Sequence, residues 1–455
     1  MTVMVYLALV LELHHPLPPP GQGAGPDWTA AAADLYWPAL KAIAEFAERD
    51  TGGSLTLAVS PGWRTLAADP AGAAPLVEAL DQKRRHGARA ESLYDFAVER
   101  WGGDAVSLLS TLGRSGAVDL IPMTSTHTWL PSVAVDAVAA RAQIRLAAAD
   151  HHRCLGRPPS GLWLPYLAYL PGLENVMAES RLRYFGVTAA DFLRGTVKPP
   201  DGPLAPLVTP PGVAAFAVDS APFSLVKHPE GYGRDPRYLD PATAGHAAVD
   251  HARHALQRWT ATATAGHPTR RSREPIAAAS ISIHDLAAGW AGGRGADWLA
   301  AFLEALACAE GVAAVSLGHY LDRHPSGPLG RPGPSGGGFL AARPRDSDLF
   351  DWCRSAAEFL GFFVERRRQL DPPERRTVAH LTRCLLRAQQ IDWALPPGSS
   401  IEPDVGLRRS RAHLDRFHEL AGLLLAGRSD PRLLDDLDRQ PPFLPEIDLD
   451  LLADG

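Results

Sequence analysis

A succession of short apolar runs, most of them followed by a helix-like stretch, constrains the fold of this chain more than any other feature. The strand-then-helix alternation predicts an α/β architecture, in which side chains for binding and catalysis gather at the carboxyl ends of parallel strands. The ends of these runs are therefore the first candidates for a functional site. The runs cover residues 6–10, 55–59, 116–121, 162–164, 182–187, 276–283 and 312–317.

Polar residues follow several of these runs. Glu12 and His14 come after the first run, His127 comes shortly after the third, and His284 and Asp285 follow the run that ends at residue 283. Since the carboxyl ends of parallel strands meet on one side of a barrel, we expect these side chains to lie near one another.

The segment Gly161–Gly172, GLWLPYLAYLPG, contains the most informative strand end. The apolar residues Leu162–Leu164 run into Pro165, whose fixed backbone angle sets the entry into the next segment. Tyr166 follows at once and is a candidate site residue. Trp163 is either a ligand contact or part of the core.

Composition excludes several functional classes. The 455 residues are 46% hydrophobic and 21% charged, which predicts an ordinary soluble protein with a large core. A formal net charge of -6 without a Lys/Arg-rich run argues against a nucleic-acid partner, and no apolar run is long enough for a membrane span. The scattered cysteines, without metal-ligand spacing, favour reduced thiols and a cytoplasmic protein. They are Cys154, Cys308, Cys353 and Cys384.

The 161–172 segment resembles the third signature of glycoside hydrolase family 57, and most closely its branching enzymes, in which it commonly reads WLPECAY. Similar matches extend over essentially the whole chain. They are THTWLP at 126–131, EGYGRDPRY at 230–238, AQQIDW at 388–393, RFHEL at 416–420 and FLPEID at 443–448.

This resemblance implies a distorted, TIM-like (β/α)7 barrel followed by an all-helical C-terminal domain. The implied boundaries are a barrel at residues 1–325, with inserted loops at about 190–260, and a Gly/Pro-rich linker at 326–345. The helical domain would then span residues 346–455.

The resemblance also assigns the catalytic positions. The family nucleophile, a Glu, aligns with Tyr166, and the general acid/base aligns with His284 or, after a shift of one residue, with Asp285. A retaining enzyme needs two carboxyl groups about 5–5.5 Å apart. We therefore expect a catalytically degenerate, branching-enzyme-like homologue of α-glucan metabolism.

Glucan contacts are implied where aromatic rings can stack on sugars and where family positions line the cleft. The expected ligand is an α-glucan or maltooligosaccharide, the expected partner is a glucan-metabolising enzyme, and no cofactor or metal is expected. The implied contact residues are His14, His127, Trp129, Trp163, Tyr232, Trp290, Asp392 and Trp393.

Two other hypotheses remain open. An active glucan branching enzyme or glucanotransferase could use a rebuilt acid site made of Asp285 and Glu12. Alternatively, the strand-end histidines His14, His127 and His284 could hold a metal ion in a metal-dependent hydrolase.

Overall fold

The computed structural model describes residues 4–18, 24–49, 51–265, 274–287, 289–335, 347–391, 403–439 and 443–454. Its strands form one sheet. They are β1 (Val5–Leu13), β2 (Leu55–Val59), β3 (Val118–Pro122), β4 (Gly161–Leu162), β5 (Tyr184–Thr188), β6 (Leu207–Val208), β7 (Ala214–Val218), β8 (Ile276–Ser282) and β9 (Val312–Ala314).

Seven parallel strands form the main path of the sheet, in the order β3-β2-β1-β8-β7-β5-β4. A parallel bridge between Met123 and Trp163 joins the two end strands and nearly closes the sheet into a barrel. β9 pairs in parallel with the first residues of β1, and β6 pairs antiparallel with β7. The predicted (β/α)7 barrel with a helical C-terminal region is confirmed.

Helices cover the barrel and make up the C-terminal region. Many of them begin with proline in the first turn, where its missing N–H leaves no helical hydrogen bond unmade. The α-helices are α1 (Pro26–Ala31), α2 (Trp37–Glu48), α3 (Pro61–Ala67), α4 (Pro70–Arg84), α5 (Ala88–Tyr94), α6 (Ala105–Arg114), α7 (Leu130–Val133), α8 (Ala137–Leu155), α9 (Leu173–Glu179), α10 (Ala189–Leu193), α11 (Ser224–Lys227), α12 (Pro241–Ala265), α13 (Gly295–Ala307), α14 (Leu317–Arg323), α15 (Ser347–Glu365), α16 (Pro372–Ala388), α17 (Pro403–Leu425) and α18 (Pro431–Asp438).

Side-chain alternation along β1 divides the core into two layers. Leu7 and Leu9 pack outward against the helices, whereas Tyr6, Ala8 and Val10 point into the barrel. The barrel interior is closely packed with side chains, as expected for a barrel of this size.

Three details differ from the sequence expectations. The interval 190–260 is not wholly an insertion, because it contains β7, a short Ala-rich strand between β5 and β8. β9 ends before residue 317, since the hydroxyl of Ser316 caps α14 by accepting a hydrogen bond from the backbone N–H of His319. The first part of the predicted linker lies along the barrel, where the backbone N–H of Gly333 donates to the carbonyl of Asp191 at 2.8 Å.

Gly186 makes room for Trp163 inside the barrel. A Cβ atom at residue 186 would lie 2.7 Å from the Trp163 ring and 3.0 Å from Val218. We expect Gly186→Ala to destabilise the protein by about 1–3 kcal/mol, because neither neighbour is free to move within the packed interior. Thermal unfolding measures this loss.

Gly245→Ala is the matched control for this substitution. Gly245 lies in α12, and a Cβ there would meet nothing within 4 Å. Alanine should therefore stabilise this helix by about 0.5–1 kcal/mol. Equal stability of Gly186→Ala and the wild type would contradict the packing described for the barrel interior.

Candidate functional site

Glu12 continues the inward-facing series of β1 to the carboxyl end of the barrel. It lies opposite Ala58 of β2 and Ser282 of β8 in the strand register. Burial raises the pKa of the Glu12 carboxyl, and the charge of Lys227 and a hydrogen bond with Ser280 only partly offset this effect. Glu12 therefore holds its proton to a higher pH than an ordinary glutamate does.

Two imidazoles and a phenol form a connected row at the same end of the barrel. The rings of His14 and His127 stack with their centroids 3.9 Å apart and their planes at 14°. Nδ1 of His14 lies 3.2 Å from the hydroxyl of Ser60, and the phenol oxygen of Tyr166 lies 3.2 Å from Nδ1 of His127. The row therefore joins the ends of β1, β2, β3 and β4.

A left-handed turn presents Tyr166 to this row. Tyr166 and Leu167 have φ angles of 59° and 54°, which are unfavourable for residues with side chains. Ser335 fixes the residues that come after Tyr166. Its hydroxyl lies 3.3 Å from the carbonyl of Leu167 and accepts a hydrogen bond from the N–H of Tyr169 at 2.9 Å. The segment before the helical region thus positions the turn.

The strand-end histidines of β1 are neutral at physiological pH. Burial, followed by the charge of His284, lowers the pKa of both His14 and His15 to about 3. The charge of Arg409 on α17 has the same effect on both rings. Neutral imidazoles can both donate and accept hydrogen bonds, which suits sugar hydroxyl groups.

A second group at this end of the barrel contains two carboxyls and an ammonium. Nζ of Lys227 lies 3.0 Å from Oδ2 of Asp285. Burial alone would lower the pKa of Lys227, but the charges of Asp285 and Glu12 outweigh it, and the pKa is raised. The indole N–H of Trp290 donates to the carbonyl of Asp285 at 3.1 Å and holds its backbone.

The C-terminal helical region contacts the site at the carboxyl end of the barrel. The hydroxyl of Thr126 donates to the carbonyl of Leu386 at 2.8 Å, and the N–H of Ile391 donates to the carbonyl of His127 at 3.3 Å. The end of α16 therefore lies directly on the segment that carries His127.

The structure brings together many of the side chains proposed from sequence. His14, His127 and Tyr166 are in contact, and His284 is close enough to affect His14. Asp285 and Glu12 both interact with Lys227. Lys227 was not predicted as a site residue, because nothing in its local sequence indicates that it pairs with Asp285 at the end of β8.

The proposed aromatic contacts lie deeper than expected. Trp163 is fully buried and has no face open to a sugar, whereas Trp129 is half-buried beside α7. Tyr232 is 5% exposed, stacks on His251 at 4.6 Å, and its phenol oxygen lies 2.9 Å from Nδ1 of His254.

The remaining sequence proposals are placed as follows. Trp290 is buried. Asp392 and Trp393 lie outside the described residues.

Within the described ranges, no three His, Cys, Asp or Glu side chains are arranged to hold a metal ion, so geometry adds no support to the metal-dependent hydrolase. No helix in that part of the chain has the length and apolar character needed to cross a membrane.

Sequence comparison relates two parts of the chain to known protein families. The profile of glycosyl hydrolase family 57 matches residues 34–220, and that of the 1,4-alpha-glucan branching enzyme C-terminal domain matches residues 354–451. The chain is therefore similar to glycoside hydrolase family 57 over residues 34–220 and to branching enzymes over residues 354–451.

One relative shows the same similarity over a longer stretch. The 1,4-alpha-glucan branching enzyme TK1436 of Thermococcus kodakarensis is 25% identical over 417 residues, which cover 76% of this chain and 60% of that protein. The chain thus spans 60% of the length of that relative.

Solved structures share the fold over the whole chain. The alpha-amylase AmyC from Thermotoga maritima superposes with a TM-score of 0.86 at 19% identity, and both chains are fully covered. A branching enzyme from Pyrococcus horikoshii gives a TM-score of 0.85 at 20% identity, with 100% of this chain and 97% of that chain covered.

The neutral state of His14 predicts a pH-dependent stability. An unfolded histidine takes up a proton near pH 6.5, whereas His14 does so only near pH 3 in the folded protein. The free energy of unfolding should therefore fall as the pH drops from about 6.5 towards 3, by up to about 1.4 kcal/mol per pH unit for each such group.

Urea unfolding at several pH values measures this dependence. His14→Gln should reduce the slope between pH 6 and 4, since one group no longer takes up a proton on unfolding. His152→Gln, at an exposed histidine on α8, should leave the slope unchanged. An unaltered slope in His14→Gln would contradict the assigned neutral state.

Proposed function

We propose that this chain is an α-glucan-binding, branching-enzyme-like protein that does not carry out the family's ordinary branching reaction. The observation that carries the proposal is Tyr166. Its phenol stands at the end of β4, where the sequence resemblance puts the nucleophilic Glu, and contacts the imidazole of His127.

A phenol is a poor replacement for the nucleophilic carboxylate. Its ordinary pKa is near 10, so little phenolate exists at neutral pH. Tyrosine nucleophiles are known in sialidases, but double displacement in most retaining glycosidases requires a carboxylate that attacks the sugar carbon. Loss of the nucleophile should reduce the chemical step by several orders of magnitude.

The capacity to bind an α-glucan would remain without the nucleophile. The stacked rings of His14 and His127, with the phenol of Tyr166, provide flat surfaces and hydrogen-bonding groups together. Such surfaces suit sugar rings and their hydroxyl groups. The relative from Thermococcus kodakarensis, whose name specifies 1,4-alpha-glucan, supports this ligand class.

Branching and binding should be measured on the same purified protein. Iodine staining and enzymatic debranching of treated amylose should show no new branches, while calorimetry should detect maltohexaose binding. Tyr166→Ala should weaken that binding about tenfold or more through loss of the ring. The control is Tyr94→Ala. Tyr94 ends α5, where its ring lies under the guanidinium of Arg84, and this variant should bind like the wild type.

Either clear branch formation or unchanged binding by Tyr166→Ala would count against the proposal. Absence of both branching and binding in the wild type would instead favour a scaffold that binds a protein partner. In that case the protein partner would be a glucan-metabolising enzyme.

The carboxyl pair around Lys227 supports a second candidate, an active glucanotransferase with a rebuilt acid site. Glu12 has a raised pKa, as a general acid requires, and Asp285 is held by an ammonium. Environments that separate the roles of two carboxyls are typical of glycosidase sites.

This second candidate predicts activity that depends on both carboxyls. Glu12→Gln and Asp285→Asn should each reduce branching or transfer at least a hundredfold, since each removes one proton or charge from the reaction. Asp240→Asn, at an exposed carboxylate before α12, should retain full activity. Activity that survives both site substitutions would exclude this pair as the catalytic groups.

A further inference from the structure

We infer that a buried network of hydrogen bonds around Thr126 positions the imidazole of His127 for ligand binding. Gln143 of α8 and Gln389 at the end of α16 complete this network, which we call the Gln143 network. The inference rests on the proposed function, because it concerns how the same site is held for an α-glucan. Thr126, Gln143 and Gln389 are buried and act through His127, so they are positioning residues and not ligand contacts.

The side-chain amide of Gln143 is the centre of the network. Its Nε2 donates hydrogen bonds to the hydroxyl of Thr126 and to Oε1 of Gln389, both at 2.9 Å. Its Oε1 accepts a hydrogen bond from the backbone N–H of Thr126 at 3.0 Å. The hydroxyl of Thr126 in turn donates to the carbonyl of Leu386 in α16 at 2.8 Å. Both N–H bonds and the carbonyl of the Gln143 amide are therefore used.

Hydrogen bonds from both helices also fix the backbone around His127. The N–H of Ser125 donates to the backbone carbonyl of Gln143 at 2.8 Å, which ties the residues before His127 to α8. The carbonyl of His127 itself accepts a hydrogen bond from the N–H of Ile391 at 3.3 Å, just beyond α16. The segment that carries His127 is thus held from the barrel side and from the helical region.

This segment is buried apart from the side chains that it presents. Between residues 121 and 130, only His127 and Trp129 are not buried. A buried loop is unusual, because its backbone polar groups must find partners inside the protein. Gln143 and the end of α16 supply these partners, and they leave the imidazole of His127 facing the site.

The position of His127 matters because its ring makes two contacts at once. It stacks on His14 with the centroids 3.9 Å apart, and its Nδ1 lies 3.2 Å from the phenol oxygen of Tyr166. A displacement of about 1 Å would remove the second contact, since hydrogen bonds are lost at such lengths. A fully satisfied buried network holds a single arrangement, and the loss of one member leaves a polar group without its partner.

Thr126→Val tests the network, because valine has the shape of threonine without its hydroxyl. The substitution removes an acceptor from Gln143 and a donor from Leu386, and it should weaken maltohexaose binding in calorimetry about fivefold or more. Thr126→Ser keeps the hydroxyl and should bind nearly like the wild type. Gln389→Met removes the other acceptor of Gln143 and should weaken binding from the α16 side.

Thr382→Val is the matched control. Thr382 is also buried, and its hydroxyl donates to the carbonyl of Val378 within α16 at 2.9 Å. Valine there should lower the melting temperature through the same loss of a buried hydrogen bond, but it should leave maltohexaose binding unchanged.

Nitrogen NMR of isotope-labelled histidine reports on His127 without any ligand. The signal of Nδ1 depends on whether this atom holds a proton, and the contact with the phenol of Tyr166 affects that balance. The His127 signals should change in Thr126→Val and stay unchanged in Thr382→Val. His127→Gln, which lacks these signals, identifies them in the spectrum.

The two measurements separate this inference from the proposed function. Weaker binding together with altered His127 signals in Thr126→Val supports the positioning role. Wild-type signals, altered signals with unchanged binding, or an equal loss of binding in Thr382→Val overturns it. Gln389→Met decides the matter by the same criteria if Thr126→Val does not fold. If the wild type binds no maltohexaose, the glucan proposal fails, and the His127 signals alone decide whether the Gln143 network positions the imidazole.

Discussion

The packing of Trp163 inside the barrel is the interaction on which the site depends. Its backbone N–H donates to the carbonyl of Pro122 at 3.0 Å, and its bridge to Met123 joins β4 to β3. Its ring fills the interior where Gly186 leaves space. Because the barrel closes there, Tyr166 arrives beside His127, and the ends of distant strands form one surface.

Electrostatics divide that surface into two parts. One part contains the neutral imidazole of His14, the imidazole of His127 and the phenol of Tyr166, which offer stacking and hydrogen bonding. The other part contains Glu12, Lys227 and Asp285, where proton transfer is chemically feasible. The two parts therefore differ in the chemistry that they can offer to a ligand.

The helical region contributes to the site as well as covering it. Hydrogen bonds from Thr126 and Ile391 join the end of α16 to the His127 segment, and Ser335 braces the turn at Tyr166. The barrel and the helices therefore build the candidate site together.

The sequence alone indicated the α/β class and most of the strand ends, because short apolar runs are a local pattern, and its resemblance to glycoside hydrolase family 57 implied the barrel. The strand at 55–59 was predicted to the residue, and polar residues after strands were found where the barrel gathers them. Only the tertiary structure decided that Trp163 and Tyr232 are buried and that Lys227 meets Asp285. Burial and ion pairing depend on neighbours that are distant in the chain, so no local pattern reveals them.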